Sequence, residues 1–288
     1  MLQRQKSFQN EEAPALYLVP TPIGNLNEIS PRIKETLETV DVIACEDTRN
    51  SGMLLKRIGI SKPLISHHEF NTNASIPGII KLLEQGKKIA MISDAGYPVI
   101  SDPGAGLAQA VMQEGYPVIP MSGPNAALNA LVASGLDARH FLYYGFLDAK
   151  SAKRKKELES LRDQPWTLIF YEASHRIVDT LEDMKDVLGN RQICLARELT
   201  KVHEEFLRGT IEEVLEVAGE LKGEMVLVVE GQTDAPQKTL EEVTDLAMEL
   251  AQNGLKPKAA AAKASESSPF SKNEIYAEMM RRKEERDA

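Results

Sequence analysis

The sequence predicts an α/β protein: a helix-covered, mostly parallel sheet, then a second α/β unit with a mixed sheet, then a small helical tail. Three observations predict it. From Leu16 to Pro124, short apolar runs alternate with helical patterns, the rhythm of a parallel sheet covered by helices. After Gly123-Pro124 the strands lengthen and the alternation loosens, which fits a mixed sheet. Past the polar stretch Gly231 to Lys238, three helical patterns with tight turns resemble a helix-turn-helix module. The expected boundaries are 14–124, 125–233 and 239–288.

In order, Leu16 to Val19, Val40 to Ala44, Leu64-Ile65, Ile89 to Ile92 and Val118 to Met121 read as strands. Between them Pro31 to Glu38, Thr48 to Arg57, Ser75 to Gln85 and Ala105 to Glu114 read as helices. Ser30-Pro31 is a capping residue followed by proline at the first helical position, and Gly115 closes the fourth helix. Asn125 to Ala133 is a small-residue helix expected to bridge to the second unit. Strands follow at Phe141 to Phe146, Trp166 to Tyr171, Gln192 to Ala196, Glu205 to Gly209 and Met225 to Val229. The last two are expected to pair around the helix Ile211 to Leu221. The tail carries helices at Leu240 to Gln252, Pro257 to Ala264 and Ser271 to Lys283.

The bulk numbers exclude several classes. With 288 residues, 42% of them hydrophobic and 27% charged, the chain suits two domains of a soluble globular protein. Its 34 Lys and Arg against 43 Asp and Glu give a net charge of −9, which argues against coating nucleic acid through charge alone. Met1 to Ala13 is polar and lacks a signal-peptide core, and no apolar run has the length of a membrane span. Cys45 and Cys194 are far apart and form no disulfide framework or metal spacing. The expectation is a cytoplasmic protein without metal. G-x-G-x-x-G after a strand and G-x-x-x-x-G-K-[ST] are both missing, so the standard dinucleotide and P-loop readings fail.

The most informative segment is Ser93-Asp94-Ala95-Gly96-Tyr97-Pro98-Val99-Ile100-Ser101-Asp102-Pro103-Gly104. It joins an apolar strand to a helix, where open α/β sheets bind ligands, and it is longer and stiffer than that connection needs. Four further segments place unusual residues at strand ends. Pro20-Thr21-Pro22-Ile23-Gly24-Asn25-Leu26 is a fixed turn exposing backbone groups. Cys45-Glu46-Asp47-Thr48-Arg49 either caps the next helix or forms a polar wall with a carboxylate able to accept a proton. His67-His68-Glu69-Phe70-Asn71 lacks a third ligand of metal spacing, which leaves His68 as a substrate contact or weak base. Tyr171 to Arg176 and Arg197 to Glu205 are dense in charge, yet Ser174-His175 are adjacent on a helix start and point apart, against a hydrolytic triad. Lys150, Lys153, Arg154, Lys155 and Lys156 follow the aromatics Tyr143-Tyr144-Gly145-Phe146, a pairing that suits RNA; a solvated helix start is the plain alternative.

Read together, Thr21 to Leu26, Glu46 to Arg49, the Ser93 to Gly104 loop, Tyr171-Glu172 with His175-Arg176, Arg197 to Lys201 and Lys222-Gly223-Glu224 resemble the ribosomal RNA small subunit methyltransferase I family. That family is the RNA-modifying branch of the tetrapyrrole methylase superfamily. The resemblance runs from about Leu16 to Gly231, and the tail resembles the helix-turn-helix extension many members carry. It implies the tetrapyrrole methylase (class III methyltransferase) fold, S-adenosylmethionine as methyl donor in a cleft between two domains, and 2′-O-methylation of a cytidine in 16S ribosomal RNA. It also implies a homodimer acting on the RNA or the assembled small subunit. Carried over by motif, Pro22, Asp94, Ala95, Gly96, Val99, Ser122 and Gly123 line the donor pocket. Glu46, Asp47, Arg49, His68, Asn71, Glu198 and Lys201 face the RNA, joined by Lys150 and Arg154 of the basic cluster. The sequence departs from the family at Tyr97 (commonly threonine), Phe70 (histidine) and Ser174 (proline). Ser122-Gly123-Pro124 stands where members have Pro-Gly-Pro.

The expected chemistry is in-line displacement, with positioning supplying most of the acceleration and Glu46, Asp47 or His68 removing the hydroxyl proton. Two alternatives stand: C-methylation of a tetrapyrrole, and a non-catalytic nucleic-acid-binding module on a methylase fold.

Overall fold

In the first half, β1 (Leu16–Val19), β2 (Val42–Cys45), β3 (Leu64–Ser66), β4 (Ile89–Ile92) and β5 (Val118–Pro120) form one parallel sheet in the order β3-β2-β4-β1-β5. The computed structural model describes residues 4–7, 13–68, 71–232, 239–265, 268 and 270–287; Phe70 lies outside them. Strand β4 sits between β2 and β1 with all four residues buried, which is why it reads as an unbroken apolar run. Helices α1 (Pro31–Thr39) and α2 (Thr48–Arg57) cover one face through Ile33, Leu37 and Leu55. Helices α3 (Thr72–Glu84) and α4 (Ala105–Gln113) cover the other through Ile79, Leu83, Leu107 and Val111.

The starts and stops follow local chemistry. Ser30 accepts the Ile33 N–H and Pro31 opens α1, while Gly115 has a positive φ after α4. Helix α3 begins at Thr72, earlier than Ser75, because Asn71 and Thr72 tie its first turn to His68. Pro77 is therefore inside the helix. Strands β1 and β4 are neighbours whose connections leave toward opposite edges of the sheet, so the crevice beyond their carboxyl ends is a topological switch point.

The second sheet contains β6 (Phe141–Phe146), β7 (Thr167–Ala173), β8 (Gln192–Arg197), β9 (Glu205–Thr210) and β10 (Glu224–Val229) in the order β6-β7-β10-β8-β9. Only β6 and β7 are parallel; the other neighbours are antiparallel. The expected pairing of Glu205–Gly209 with Met225–Val229 is therefore corrected: β8 lies between them. Loop 198–204 lets β9 fold straight back on β8, and α8 (Ile211–Ala218) then carries the chain across β8 to reach β10. Helices α6 (Ser151–Leu161), α7 (Ile177–Leu188) and α8 cover one face of this sheet. The other face is covered by α5 (Ala126–Ser134), whose Ala127, Ala130 and Leu131 meet Ile169, Cys194 and Val226. The small-residue helix after Pro124 thus bridges onto the second sheet.

Residues 1–231 form one compact unit holding both sheets, and 232–288 form another. In the latter, α9 (Leu240–Gln252), α10 (Pro257–Ser265) and α11 (Lys272–Asp287) enclose Val243, Ala247, Ala260, Ala261, Ala264, Ile275 and Met279. Thr239 and Glu242 close a reciprocal capping box on α9. No described helix is long and apolar enough to cross a membrane.

Candidate active site

The turn after β1 and the loop after β4 are joined backbone to backbone. Thr21 N–H donates to the Gly96 carbonyl at 2.9 Å and Gly96 N–H returns to Thr21 at 3.0 Å. The Thr21 hydroxyl donates to the Ser93 carbonyl and the Ser93 hydroxyl to the Gly96 carbonyl. Beside this junction lies a cavity of about 430 Å³, a size that suits a small-molecule cofactor. The first half contributes Ile23, Asp94 to Tyr97 and Ile100 to Asp102. The second contributes Phe146, Tyr171 to Ser174, Leu199 and Gly223 to Val226. Gly24 closes the gap between the halves, because a Cβ there would overlap the Lys201 side chain and the Thr200 hydroxyl.

Among the described residues, the non-glycine residues with positive φ are Val99 (80°), Ser101 (59°), Glu198 (50°) and Thr200 (66°). All four belong to the two loops that border this cavity. A β-branched residue at φ 80° is a real outlier, held only where surrounding contacts over-determine it. Those contacts are present: Ser101 Oγ and Tyr143 Oη are 2.7 Å apart, and Tyr143 packs edge-on against Tyr171. The Tyr97 hydroxyl accepts the Gly123 N–H at 2.9 Å, tying this loop to the next one.

The charged residues of the lining are Asp94, Asp102, Glu172 and Glu224, with no lysine or arginine. Asp94 accepts from the Asn50 amide at 3.1 Å. Glu172 is buried and accepts from Ala173 N–H and the Thr180 hydroxyl, with Arg176 at 3.2 Å. Glu224 is paired with Lys201 at 2.9 Å. Asp102 is different: burial, then the Glu46 and Asp94 charges, push its carboxyl up to about 6. Burial also raises the Tyr171 phenol. An acidic lining around an apolar body fits a cationic organic ligand, and S-adenosylmethionine with its sulfonium and ammonium is one.

Of the residues expected to bind the donor, Asp94, Ala95 and Gly96 line the cavity. Pro22 and Val99 lie on the loops after β1 and β4, and Ser122 and Gly123 on the loop after β5, all outside its lining. Glu46, Asp47, Arg49, His68 and Asn71 sit at the ends of β2 and β3, outward of β4. Asp47 caps α2, accepting the Arg49 N–H at 2.7 Å and the Asn50 N–H at 3.4 Å. Those bonds hold its carboxyl below the usual range. Asn71 accepts the His68 N–H and donates to the Ser66 carbonyl, so its amide shapes the turn. Arg49 is exposed, 3.8 Å from Asp47. Glu198 accepts from Lys201 at 3.0 Å and from Glu224 N–H at 3.1 Å, and the lysine bond lowers its carboxyl.

The basic cluster is corrected. Arg154, expected on the substrate side, is 2% exposed and donates to Asp183 at 2.7 Å, because it falls on the face of α6 that packs against α7. Lys155 is held by Asp183 and Asp186, and Lys153 lies 3.5 Å from Asp148. Lys150 is exposed at the start of α6. Sequence reasoning missed Asp102, Tyr143 and Tyr171 as lining or supporting groups. All three lay in segments already singled out, but Asp102 was given no role, Tyr143 was read with the basic cluster and Tyr171 only as part of a charged strand end. Among the described residues, no three His, Cys, Asp or Glu side chains are grouped to hold a metal ion.

Residues 15–215 match the family model of Tetrapyrrole (Corrin/Porphyrin) Methylases. Three proteins named "Ribosomal RNA small subunit methyltransferase I" are similar over most of their length. The Bacillus subtilis protein is 50% identical over 80% of this chain and 80% of its own. The Haemophilus influenzae protein is 46% identical over 91% and 94%, and the Escherichia coli O157:H7 protein 42% over 96% and 97%. Among solved structures, the methyltransferase CobJ superposes with a TM-score of 0.58 at 16% identity, covering 76% of this chain and 95% of that one. A cobalt precorrin-4 methyltransferase, CbiF, gives 0.54 at 17% identity, covering 74% and 94%; both show the fold. With two five-stranded sheets meeting at one acidic cavity and near-half identity along most of its length, the chain belongs to the ribosomal RNA small subunit methyltransferase I family of the tetrapyrrole methylase fold.

Proposed function

We propose that this protein transfers a methyl group from S-adenosylmethionine to the ribose 2′-hydroxyl of a cytidine in 16S ribosomal RNA of the small ribosomal subunit. The observation that carries the reading is the 42–50% identity to relatives of that name over most of the chain. In this reading 14–124 supplies the donor-binding loops, 125–233 closes the cleft and 239–288 is an extension. The donor supplies an already activated methyl on a sulfonium. Asp94 and the open backbone at Ala95-Gly96 hold its polar end, while Ile23, Ile100, Leu199 and Met225 receive its apolar body. Pro22, Val99, Ser122 and Gly123 support those loops. Arg49, Lys150 and Lys201 are the cations this reading assigns to RNA phosphate.

Of the expected bases Glu46, Asp47 and His68, Glu46 is the one whose charge acts on Asp102; Asp47, like Asn71, shapes its turn. The acidic lining also argues against a carboxylate-rich tetrapyrrole as acceptor. The reading further has the protein act in the cytoplasm as a homodimer, for which exposed Leu128 and Val132 on α5 offer apolar surface. The test is donor binding by calorimetry with Asp94→Ala beside the wild type. A ten-fold or greater loss supports this cavity as the donor site, and unchanged affinity contradicts it.

A further inference from the structure

We propose that Asp102 is the group that accepts the proton of the attacking hydroxyl. This rests on the methyl-transfer reading above. The four carboxylates of the cavity differ in one respect. Asp94 is bonded to Asn50, Glu172 to Ala173 and Thr180, and Glu224 to Lys201. Among the described residues, no hydrogen bond is made to the Asp102 carboxylate, and it faces the cavity. Its backbone is fixed nonetheless. The preceding Ser101 is locked at positive φ by the Tyr143 hydroxyl, and Val99 N–H donates to the Pro103 carbonyl at 3.3 Å. A carboxylate on a rigid loop with unused lone pairs suits a base, which must be positioned and uncommitted.

The titratable groups around it come from each neighbouring element, and of these Glu46 and Asp94 act on it by charge. Glu46 leaves the end of β2, Asp94 precedes it on its own loop, and Tyr143 and Tyr171 stand on β6 and β7. With two carboxylates nearby and partial burial, Asp102 holds a proton far more readily than an exposed aspartate, yet it is mostly ionised above neutral pH. In the step, the hydroxyl O–H bond breaks and its electron pair remains on oxygen. That oxygen forms the new O–CH₃ bond as the S–CH₃ bond breaks, its pair passing to sulfur. The proton goes to Asp102 and then to solvent.

The experiment compares wild type, Asp102→Asn and Glu46→Gln on small ribosomal subunits lacking the modification, from pH 5 to 9, with S-adenosylmethionine affinity measured alongside. The unloaded protein is also titrated by carboxyl carbon NMR. The expected results are a wild-type acidic limb near pH 6 and a loss of roughly 100-fold or more in Asp102→Asn. Measured at saturating donor, the transfer rate of Asp102→Asn falls far more than its donor affinity, and the limb moves to lower pH in Glu46→Gln, because a negative neighbour has been removed. The NMR signal absent from Asp102→Asn titrates near 6. Asp102→Asn activity within about threefold of wild type, a wild-type profile flat from pH 5 to 7, or a titration near 4 each overturns the role. So does a loss of donor affinity in Asp102→Asn as large as the loss of rate, with the rate restored at saturating donor, which would make the residue a donor contact alone. Wild-type protein that transfers no methyl overturns the functional reading and this role together; transfer with an unimpaired variant overturns the role alone.

Discussion

Asp47 and Asp102 are aspartates beyond strand ends of one sheet, and their surroundings drive them apart. The α2 backbone N–H groups stabilise the charged form of Asp47; burial and neighbouring carboxylates disfavour the charged form of Asp102. Asp47→Ala is expected to lower the urea unfolding midpoint, because the cap of α2 is lost. Asp102→Asn is expected to do the reverse. The folded pKa near 6 lies above the unfolded one, so the folded state binds the extra proton and wild-type stability falls as pH rises through 4 to 6. The variant should therefore melt higher than wild type above pH 6, with the gain gone below pH 4. A lower melting temperature at pH 8 would contradict this. In the core of the second half, Asp183→Ala strands the buried Arg154 guanidinium, and a loss of about 3–5 kcal/mol is expected in the same unfolding assay.

At the scale of elements, the two strained loops hold the cavity, and the glycine beside them has a defined task. Gly223 has φ 96° and its missing Cβ leaves room for the Glu198 carboxylate, which caps Glu224 N–H and meets Lys201. Gly223→Ala is expected to expel Glu198 and weaken donor binding, with stability falling by about 1–3 kcal/mol; unchanged calorimetric affinity would contradict the first part. The elements themselves were legible, because apolar periodicity, Ser30-Pro31 and the capping residues are local signals. Strand partners were not. Nothing local in Glu205–Gly209 or Met225–Val229 reveals that β8 separates them, since that order depends on where α8 crosses. The same limit misplaced Arg154: a cation in a run of cations reads as solvated until its partner Asp183 arrives from another helix.

For the whole molecule, the loops that carry the site were legible because proline, glycine and aspartate at strand ends are costly without a purpose. What escaped was which side chains turn into the shared cavity, since that is set by two halves meeting. The compact break at Gly231 makes the tail a separate unit. Removal of Thr239–Ala288 is expected to leave donor affinity within about threefold while weakening binding of small subunits; equal loss of both would make the tail structural. The central measurement is methyl transfer from labelled S-adenosylmethionine to small ribosomal subunits lacking their native modification, followed by nuclease digestion and mass spectrometry. Label in a 2′-O-methylated cytidine is the expected result. Measurable donor binding with no labelled nucleoside would contradict the proposed acceptor.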